Sequence, residues 1–291
     1  MEDKGSITIR KAVINQAINY IFEHIDEDIT VEDVAKYCSY SKYHLTRMFK
    51  EDMDEALYQF IKRVRLERSA WRLKVEKERS ITEIGETYGY SSSNFATAFK
   101  KHLDISPADY RRSSEQMVED SSFSHGMTLD DLDDAGSKIT VEYLATFTVL
   151  YERKKGNYHN MSDEWCDFIE KYRYLATKDT LYIDCTIDDP SITDEDGCMY
   201  ELCQTVIPDH PALKAHPEIM CHDFEGGKYA VYHFKGVPQL LFMVYQEIFC
   251  RWLSKTGNEI DERPIIDIYR KIEEDGYMEI DICIPLKTKQ T

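Results

Sequence analysis

Apolar positions in the first third of the chain fall at helical spacing, and the whole pattern recurs fifty residues later. Ile29 to Lys50 reads ITVEDVAKYCSYSKYHLTRMFK, and Arg79 to Lys100 reads RSITEIGETYGYSSSNFATAFK. Without a gap, Val31 falls on Ile81, Val34 on Ile84, Tyr40 on Tyr90, Ser41 on Ser91 and Phe49 on Phe99, so one structural unit is present twice. In the first copy Thr30 caps a short helix with Asp33 three residues on, and Val31, Val34 and Ala35 share its inner face. That helix ends near Cys38. Ser39 and Tyr40 turn the chain, Ser41 caps a second helix, and Leu45, Met48 and Phe49 form its buried stripe. The second copy uses Ser80 with Glu83, a turn at Gly89, a cap at Ser91, and Phe95 and Phe99 inside. The pattern predicts two helix-turn-helix units. Their outer faces carry Lys42, Tyr43, His44, Thr46, Arg47 and Lys50 in one, and Ser92, Ser93, Asn94, Thr97, Lys100 and Lys101 in the other.

Between the copies, residues 56–75 read as one helix with Leu57, Phe60, Ile61, Val64, Ala70 and Leu73 inward and Lys62, Arg63, Arg65, Arg68 and Arg72 outward. About 18 residues at 1.5 Å each make a rod of about 27 Å, close to one turn of duplex DNA. Such a rod places two reading heads in successive major grooves.

From Ile139 the apolar period drops to two. The pattern predicts a strand at 139–151, an amphipathic helix from Ser162 with Trp165, Phe168, Ile169 and Tyr172 inward, and strands at 180–187 and 197–207. The same order then repeats, as a strand at 228–234, a helix at 238–255, and strands at 265–272 and 277–286. The expected architecture is multidomain. An all-α double helix-turn-helix domain occupies 8–112 and an acidic, serine-rich linker 113–138. An α+β domain of two strand-helix-strand-strand repeats occupies 139–288, with its ligand groove expected at the pseudo-twofold.

Charge sharpens this division. The chain has 36 Lys plus Arg against 54 Asp plus Glu, net −18. Residues 1–112 hold 19 of each, so all of the excess acid lies downstream of the helix-turn-helix pair. A neutral module binds DNA when its bases are gathered on one face, with moderate salt dependence. The acidic half calls for a different partner. No run of 18 apolar residues and no signal-peptide pattern is present, which points to a cytoplasmic protein with no membrane partner. The eight cysteines form no Cys-x-x-Cys pair, and Cys185, Cys203, Cys250 and Cys283 sit in apolar periodic stretches, as buried free thiols do. His210, His216, Cys221 and His222 match no standard zinc spacing and read as a polar loop with Pro208, Pro211 and Pro217. Neither a metal nor another cofactor is expected, and no phosphate-binding loop, nucleophile elbow or His-Glu-x-x-His motif occurs.

The two helix-turn-helix copies, followed by FKKHLDISPADYRR with Ser106, Pro107, Tyr110 and Arg111, resemble the DNA-binding domain of the AraC family of bacterial transcription regulators over residues 8–112. Asp104 departs from the glycine usual in that family, and Thr97 stands where an arginine equivalent to Arg47 is common. The second turn also reads one residue short of the family spacing. The second half resembles the GyrI-like effector-binding domain over 139–288. The likeness rests on the DDP turn at Asp188 to Pro190, on GGKYAVYHFKG at 226–236 and on MEIDICIPLK at 278–287.

That second resemblance implies a carboxylate on the last strand that faces the ligand groove and pairs with cationic, amphipathic compounds. Either Glu279 or Asp281 is that group, and Asp281, four residues before Pro285, gives the better register. A carboxylate under aromatic rings suits a lipophilic cation. The expected walls are Tyr143, Phe147, Trp165, Tyr200, Tyr229, Tyr232 and Tyr269, although aromatics at these spacings are core residues more often than ligand walls. On the DNA side, Tyr43, Thr46 and Arg47 are expected to read bases, and Ser92, Ser93, Asn94 and Thr97 to do so more weakly. Lys42, Lys50, Arg63, Lys100 and Arg111 are expected near phosphates. The expected function is a transcription regulator, not an enzyme, that binds double-stranded DNA and a small-molecule effector and contacts RNA polymerase. Two other readings of the second half stand beside it, a hydrolase of reactive small molecules and a protein-interaction module.

Overall fold

The computed structural model describes residues 4–113, 139–158, 161–216, 218–273 and 276–288, so the expected linker, apart from Ser113, lies outside the described residues. The chain divides into two compact units, residues 1–113 and 114–291.

The first unit contains α1 (Lys4–Glu23), α2 (Val31–Tyr37), α3 (Lys42–Met53), α4 (Leu57–Val75), α5 (Ile81–Thr87), α6 (Ser92–Leu103) and a helical segment, α7, at 107–113. The fifty-residue repeat holds in its main features, although Ser41 accepts from His44 N at 3.3 Å while Ser91, expected to cap α6, makes no side-chain cap hydrogen bond. Both capping boxes form: Thr30 N donates to Asp33 Oδ2 at 2.9 Å and Asp33 N to Thr30 Oγ1 at 3.2 Å, and Ser80 and Glu83 match them at 2.9 and 3.2 Å. The turns after α2 and α5 pass through left-handed residues, Ser39 at φ 60° and Gly89 at φ 78°, and are equal in length. The second helices end alike, on Asp54 at φ 55° and Asp104 at φ 58°. Aspartate tolerates this conformation better than most residues with a side chain, which is how Asp104 stands in for glycine.

Packing differs between the copies in one place. In the second, a Cβ added to Gly85 of α5 would lie 2.8 Å from Phe95 Cγ of α6, so the helices meet only because Gly85 has none. The equivalent pair in the first copy is Ala35 with Leu45, both buried. A small-with-large pair in one copy thus replaces two middle-sized residues in the other. Between the copies, α4 packs on α3 and on both α5 and α6, and 19 residues make it about 28 Å long. The buried residues of α1, Val13, Ile14, Ala17, Ile18 and Ile21, complete this core, although the repeat gave no hint of α1.

The second unit holds β1 (Ile139–Leu144), β2 (Phe147–Lys155), α8 (Met161–Tyr172), β3 (Tyr182–Thr186), β4 (Met199–Thr205), a single helical turn α9 (Pro211–Ala215), β5 (Cys221–Phe224), β6 (Gly227–Gly236), α10, β7 (Ile266–Ile272) and β8 (Met278–Pro285). Helix α10 starts as Leu241–Gln246, widens into a π-helical turn at Glu247–Trp252 and closes with Leu253–Thr256. The strands form one antiparallel sheet in the order β1-β6-β8-β7-β3-β4-β2-β5, so the two repeats meet at the β7–β3 seam.

The predicted strand 139–151 is really two. It breaks at Ala145 and Thr146, and its partner breaks opposite, at Glu225 and Gly226. Pairing keeps the same register across the break, from Ile139↔Tyr232 through Leu144↔Gly227 to Phe147↔Phe224 and Leu150↔Cys221. One bent ribbon therefore joins both ends of the strand order and curls the sheet. Arg263 holds the bend, donating to the carbonyls of Gly226 (2.9 Å), Lys228 (3.0 Å) and Leu286 (3.1 Å). A Cβ on Gly226 would sit 2.5 Å from Leu144 O, so only glycine lets the two strands cross there. Inside the curl lie Val149, Tyr151, Ile183, Cys185, Cys203, Tyr229, Ile266 and Cys283. On the other face, α8 packs Trp165, Phe168 and Tyr172 over Leu150, Tyr200 and Leu202. Cys185, Cys203 and Cys283 are buried and in no disulfide; the side chain of Cys250 is outside the described set.

Candidate functional site

In the first unit, the buried stripe Leu45, Met48, Phe49 and Met53 seats α3 and turns its other face to solvent. Lys42, Tyr43 (78% exposed), Arg47 and Lys50 stand on that face. Arg47 Nε is 3.8 Å from Glu51 Oε1, a loose surface contact that a phosphate or base displaces readily, and Lys42 pairs with Glu32. Thr46 is half-buried and its Oγ1 is turned away from solvent, unlike its neighbours. On α6, Phe95 and Phe99 are the buried anchors while Ser92, Ser93, Asn94, Thr97, Lys100 and Lys101 are exposed. The Thr97 hydroxyl donates back to Ser93 O at 3.0 Å, so it is partly occupied by its own helix.

The basic stripe of α4 is spent inside the unit, contrary to expectation. Arg63 is clamped between Glu55 (3.0 Å) and Glu67 (2.8 Å). Arg65 donates to the Ile25 and Glu27 carbonyls, Arg68 lies over the Phe22 ring, and Arg72 is buried against Glu76. Arg111 likewise donates to Arg79 O at 2.8 Å, tying α7 to the start of the second helix-turn-helix copy within the same unit. Arg63 and Arg111 therefore act as ties, because a long cationic side chain near a carboxylate or carbonyl terminus is held there in preference to solvent. The exposed cations left on the two outer faces are lysines, Lys50, Lys100 and Lys101, beside Arg47.

In the second unit, the last strand does not present a free carboxylate. Residues paired side by side in an antiparallel ladder share a face. Asp281 pairs with His233 and Ile268, and Cys283 with Val231, all on the face away from the helices. A β-bulge makes Arg270 an extra residue between Tyr269 and Lys271, and its Nε donates to Asp281 Oδ2 at 2.6 Å. His233 Nδ1 lies 2.6 Å from the other oxygen. Glu279 is paired with Lys235 at 2.8 Å. These groups line a depression of about 370 Å³, but as neutralised ion pairs.

The helix face carries acid of another kind. Asp184 of β3 and Asp267 of β7 are direct partners across the seam where the two repeats meet, and are 5% and 4% exposed. Tyr269 donates to Asp184 and Tyr245 of α10 to Asp267, each at 2.6 Å. Among the described residues no basic side chain pairs with either carboxylate. Burial pushes Asp184 up to about 6, and burial together with the adjacent Asp184 charge drives Asp267 well above the ordinary aspartate range. The Trp165 ring meets Tyr269 edge-on at 5.3 Å, and Tyr245 stacks on Phe249 at 5.7 Å within the π-helical turn. Among the described residues, aromatic rings from α8, α10 and the sheet cover the pair.

Of the seven expected wall residues, Trp165, Tyr200, Tyr232 and Tyr269 are on this helix face. Tyr200 donates to Glu164 at 2.6 Å and is part of the core under α8. Phe147 and Tyr229 belong instead to the interior of the curl, and Tyr143 is exposed on the edge strand β1. Asp184, Asp267 and Tyr245 escaped the sequence reading. The signal was there: Ile183-Asp184-Cys185 and Ile266-Asp267-Ile268 each place one acid between two apolar residues, at matching points of the two repeats.

Tandem helix-turn-helix units on a shared rod, with a doubled and curled α+β sheet in a separate unit, define a two-unit helix-turn-helix protein. A helix-turn-helix domain family matches residues 34–113, and the GyrI-like small molecule binding domain family matches residues 137–287. Regulatory protein SoxS of Salmonella typhimurium (strain LT2) is 37% identical over 100 residues, covering 34% of this chain and 92% of SoxS. Transcriptional regulator Rob of the same organism is 38% identical over 104 residues, 35% of this chain, and that alignment spans only 36% of Rob. Among solved structures, the C-terminal domain of AraT, a response regulator from Geobacillus stearothermophilus, is 35% identical with a TM-score of 0.33, covering 35% of this chain and 84% of that one. The chain belongs to the AraC-type helix-turn-helix family and carries a GyrI-like small-molecule-binding domain as its second unit.

Proposed function

We propose that this protein is a transcription regulator whose DNA affinity or contact with RNA polymerase responds to a lipophilic cation bound at Asp184 and Asp267. One observation carries the effector class. Two other buried carboxylates of the second unit have cationic partners, Glu201 with Arg153 and Asp281 with Arg270, whereas Asp184 and Asp267 face each other with only tyrosine hydroxyls. A cation seated between them supplies the missing charge, and Trp165, Tyr245 and Tyr269 supply ring faces, each worth about 0.5 to 2 kcal/mol. The rings must part to admit it, and the π-helical turn of α10 is where a helix yields most easily. Binding and opening are then one event, which gives the ligand the differential affinity for two states that a switch needs.

On the DNA side, Tyr43 and Arg47 read bases from α3, with Thr46 at the edge of the same surface. Ser92, Ser93, Asn94 and Thr97 make weaker contacts from α6, and Lys42, Lys50, Lys100 and Lys101 lie along phosphates. Titration of the full chain with a quaternary phosphonium or ammonium probe, beside its neutral isostere, tests the effector reading. The cation should raise the melting temperature and quench tryptophan emission, the isostere should do neither, and Asp184→Asn with Asp267→Asn should abolish the response. Equal effects of cation and isostere, or a response that survives the double substitution, refutes the assignment.

A further inference from the structure

Inside the curl, on the face opposite Asp184 and Asp267, a second group of side chains has no part in the effector reading. Glu201 and Cys203 are alternate residues of β4, and His222 comes from β5, with β2 between the two strands. One ligand-type atom from each, a carboxylate oxygen, the thiol sulfur and an imidazole nitrogen, lies within 4.8 Å of the other two. We propose that Glu201, Cys203 and His222 form a binding site for a single Zn²⁺ ion.

The surroundings of Glu201 favour this assignment. Its Oε1 is held by Arg153, whose Nε is 3.1 Å away, while Oε2 is turned towards His222 Nε2 at 3.0 Å. One oxygen is thus anchored from behind and the other is presented to the remaining ligands, the arrangement in which an outer-shell partner orients a metal-binding carboxylate. The His222 ring is fixed edge-to-face between Tyr151 (4.8 Å) and Phe224 (4.7 Å). All three ligands stand on strands, so little ordering is left to be done on binding. The ion sits 2.0 to 2.3 Å from each atom, which requires ligand atoms about 3.5 Å apart. Rotation of the Cys203 and His222 side chains by about 1 Å closes the difference.

The donor set chooses the metal. Magnesium and calcium want oxygen throughout, and copper(I) avoids carboxylate, whereas one thiolate, one imidazole and one carboxylate with an open fourth position suit zinc. Charge also balances. The Zn–S bond forms as the Cys203 S–H bond breaks and its proton leaves to water; the Zn–N bond forms at His222 Nε2 as the proton that Nε2 donates to Glu201 passes through solvent to Nδ1, and the Zn–O bond takes the place of that contact. His222 is about a quarter exposed at its side chain, 27%, and gives the ion a route from solvent to the buried Glu201 and Cys203.

The full chain, stripped with a chelator, is titrated with zinc against a chromogenic competitor and separately with cobalt(II). One ion per chain and a thiolate-to-cobalt charge-transfer band are expected. Cys203→Ser should remove the band, and His222→Gln should weaken zinc binding at least about tenfold. Cys221→Ser, which removes an exposed thiol next to His222, should change neither. His222 is partly exposed whereas Cys203 is fully buried, and glutamine keeps a polar side chain of similar length, so this variant decides the matter even where Cys203→Ser fails to fold. Absence of a band in the parent chain, or loss of binding in Cys221→Ser with retention in His222→Gln, overturns the site and leaves only adventitious surface chelation.

Discussion

Replacing Asp184 by Asn should make the protein more stable at neutral pH while it abolishes cation binding. Burial raises the Asp184 carboxyl from an ordinary 3.8 to about 6. A carboxyl whose folded value lies above its unfolded value binds more protons folded than unfolded between the two, so stability falls as pH rises through that window and the loss is complete above about 6. Roughly two pH units correspond to about 3 kcal/mol at neutral pH. Asn keeps the acceptor for the Tyr269 hydroxyl but has no charge to desolvate. It also removes the charge that raises Asp267, so the two effects act in the same direction. The stability difference between variant and parent should therefore be small near pH 4 and grow to about 3 kcal/mol by pH 7. Denaturant unfolding of both proteins in a Trp71→Phe background, followed by tryptophan emission, reports the second unit through Trp165 and Trp252 at several pH values. Working with the difference cancels the general effect of the −18 net charge. A difference that stays flat from pH 4 to 7, or a variant weaker than its parent at pH 7, would show that the pair is not a desolvated acid and remove the basis for a cation site.

Three further outcomes are expected. Arg47→Ala should cost about 1 to 3 kcal/mol of affinity for a specific site with little effect on non-specific DNA, as titration of both duplexes at one salt concentration will show. Lys50→Ala or Lys100→Ala should lower the slope of log affinity against log salt by about 1, whereas Arg63→Ala should leave the slope alone and lower the melting temperature instead, because Arg63 ties Glu55 to Glu67. Gly85→Ala should destabilise the second helix-turn-helix by about 1 to 3 kcal/mol through the 2.8 Å approach to Phe95, and adding Phe95→Leu, which recreates the Ala35 and Leu45 pair, should recover at least about 1 kcal/mol in a double-mutant cycle. Additive effects in that cycle would mean that the two helices do not meet as described.

The first unit was legible because its information is local. A capping box is three residues long and a buried helical stripe needs only a turn or two, so Thr30 with Asp33, and Leu45 with Met48 and Phe49, announce themselves within one window. What failed there depends on which partner a side chain takes, near or far. Arg63 and Arg111 look like free cations until Glu55, Glu67 and the Arg79 carbonyl arrive from eight, four and 32 residues away.

The second unit shows the same limit in its sheet. Alternation correctly separated Glu279 and Asp281 from Ile280 and Ile282, but period two does not say which face the helices cover. Nor does it reveal the bulge that sends Arg270 to Asp281. The facing of the two acids became visible only when β3 was laid beside β7, since an acid between apolar residues in one strand does not say what lies across from it. The repeat contained that information in latent form. A duplicated unit that meets its copy at a twofold seam brings equivalent residues face to face, so an acid tolerated once in an apolar strand becomes, on duplication, two carboxylates repelling each other in a dry interior. Such a pair costs stability, and the loss is made good when something cationic sits between them. On the proposed reading the duplication thereby sets up the site, and the helices that cover the seam move as a cation enters.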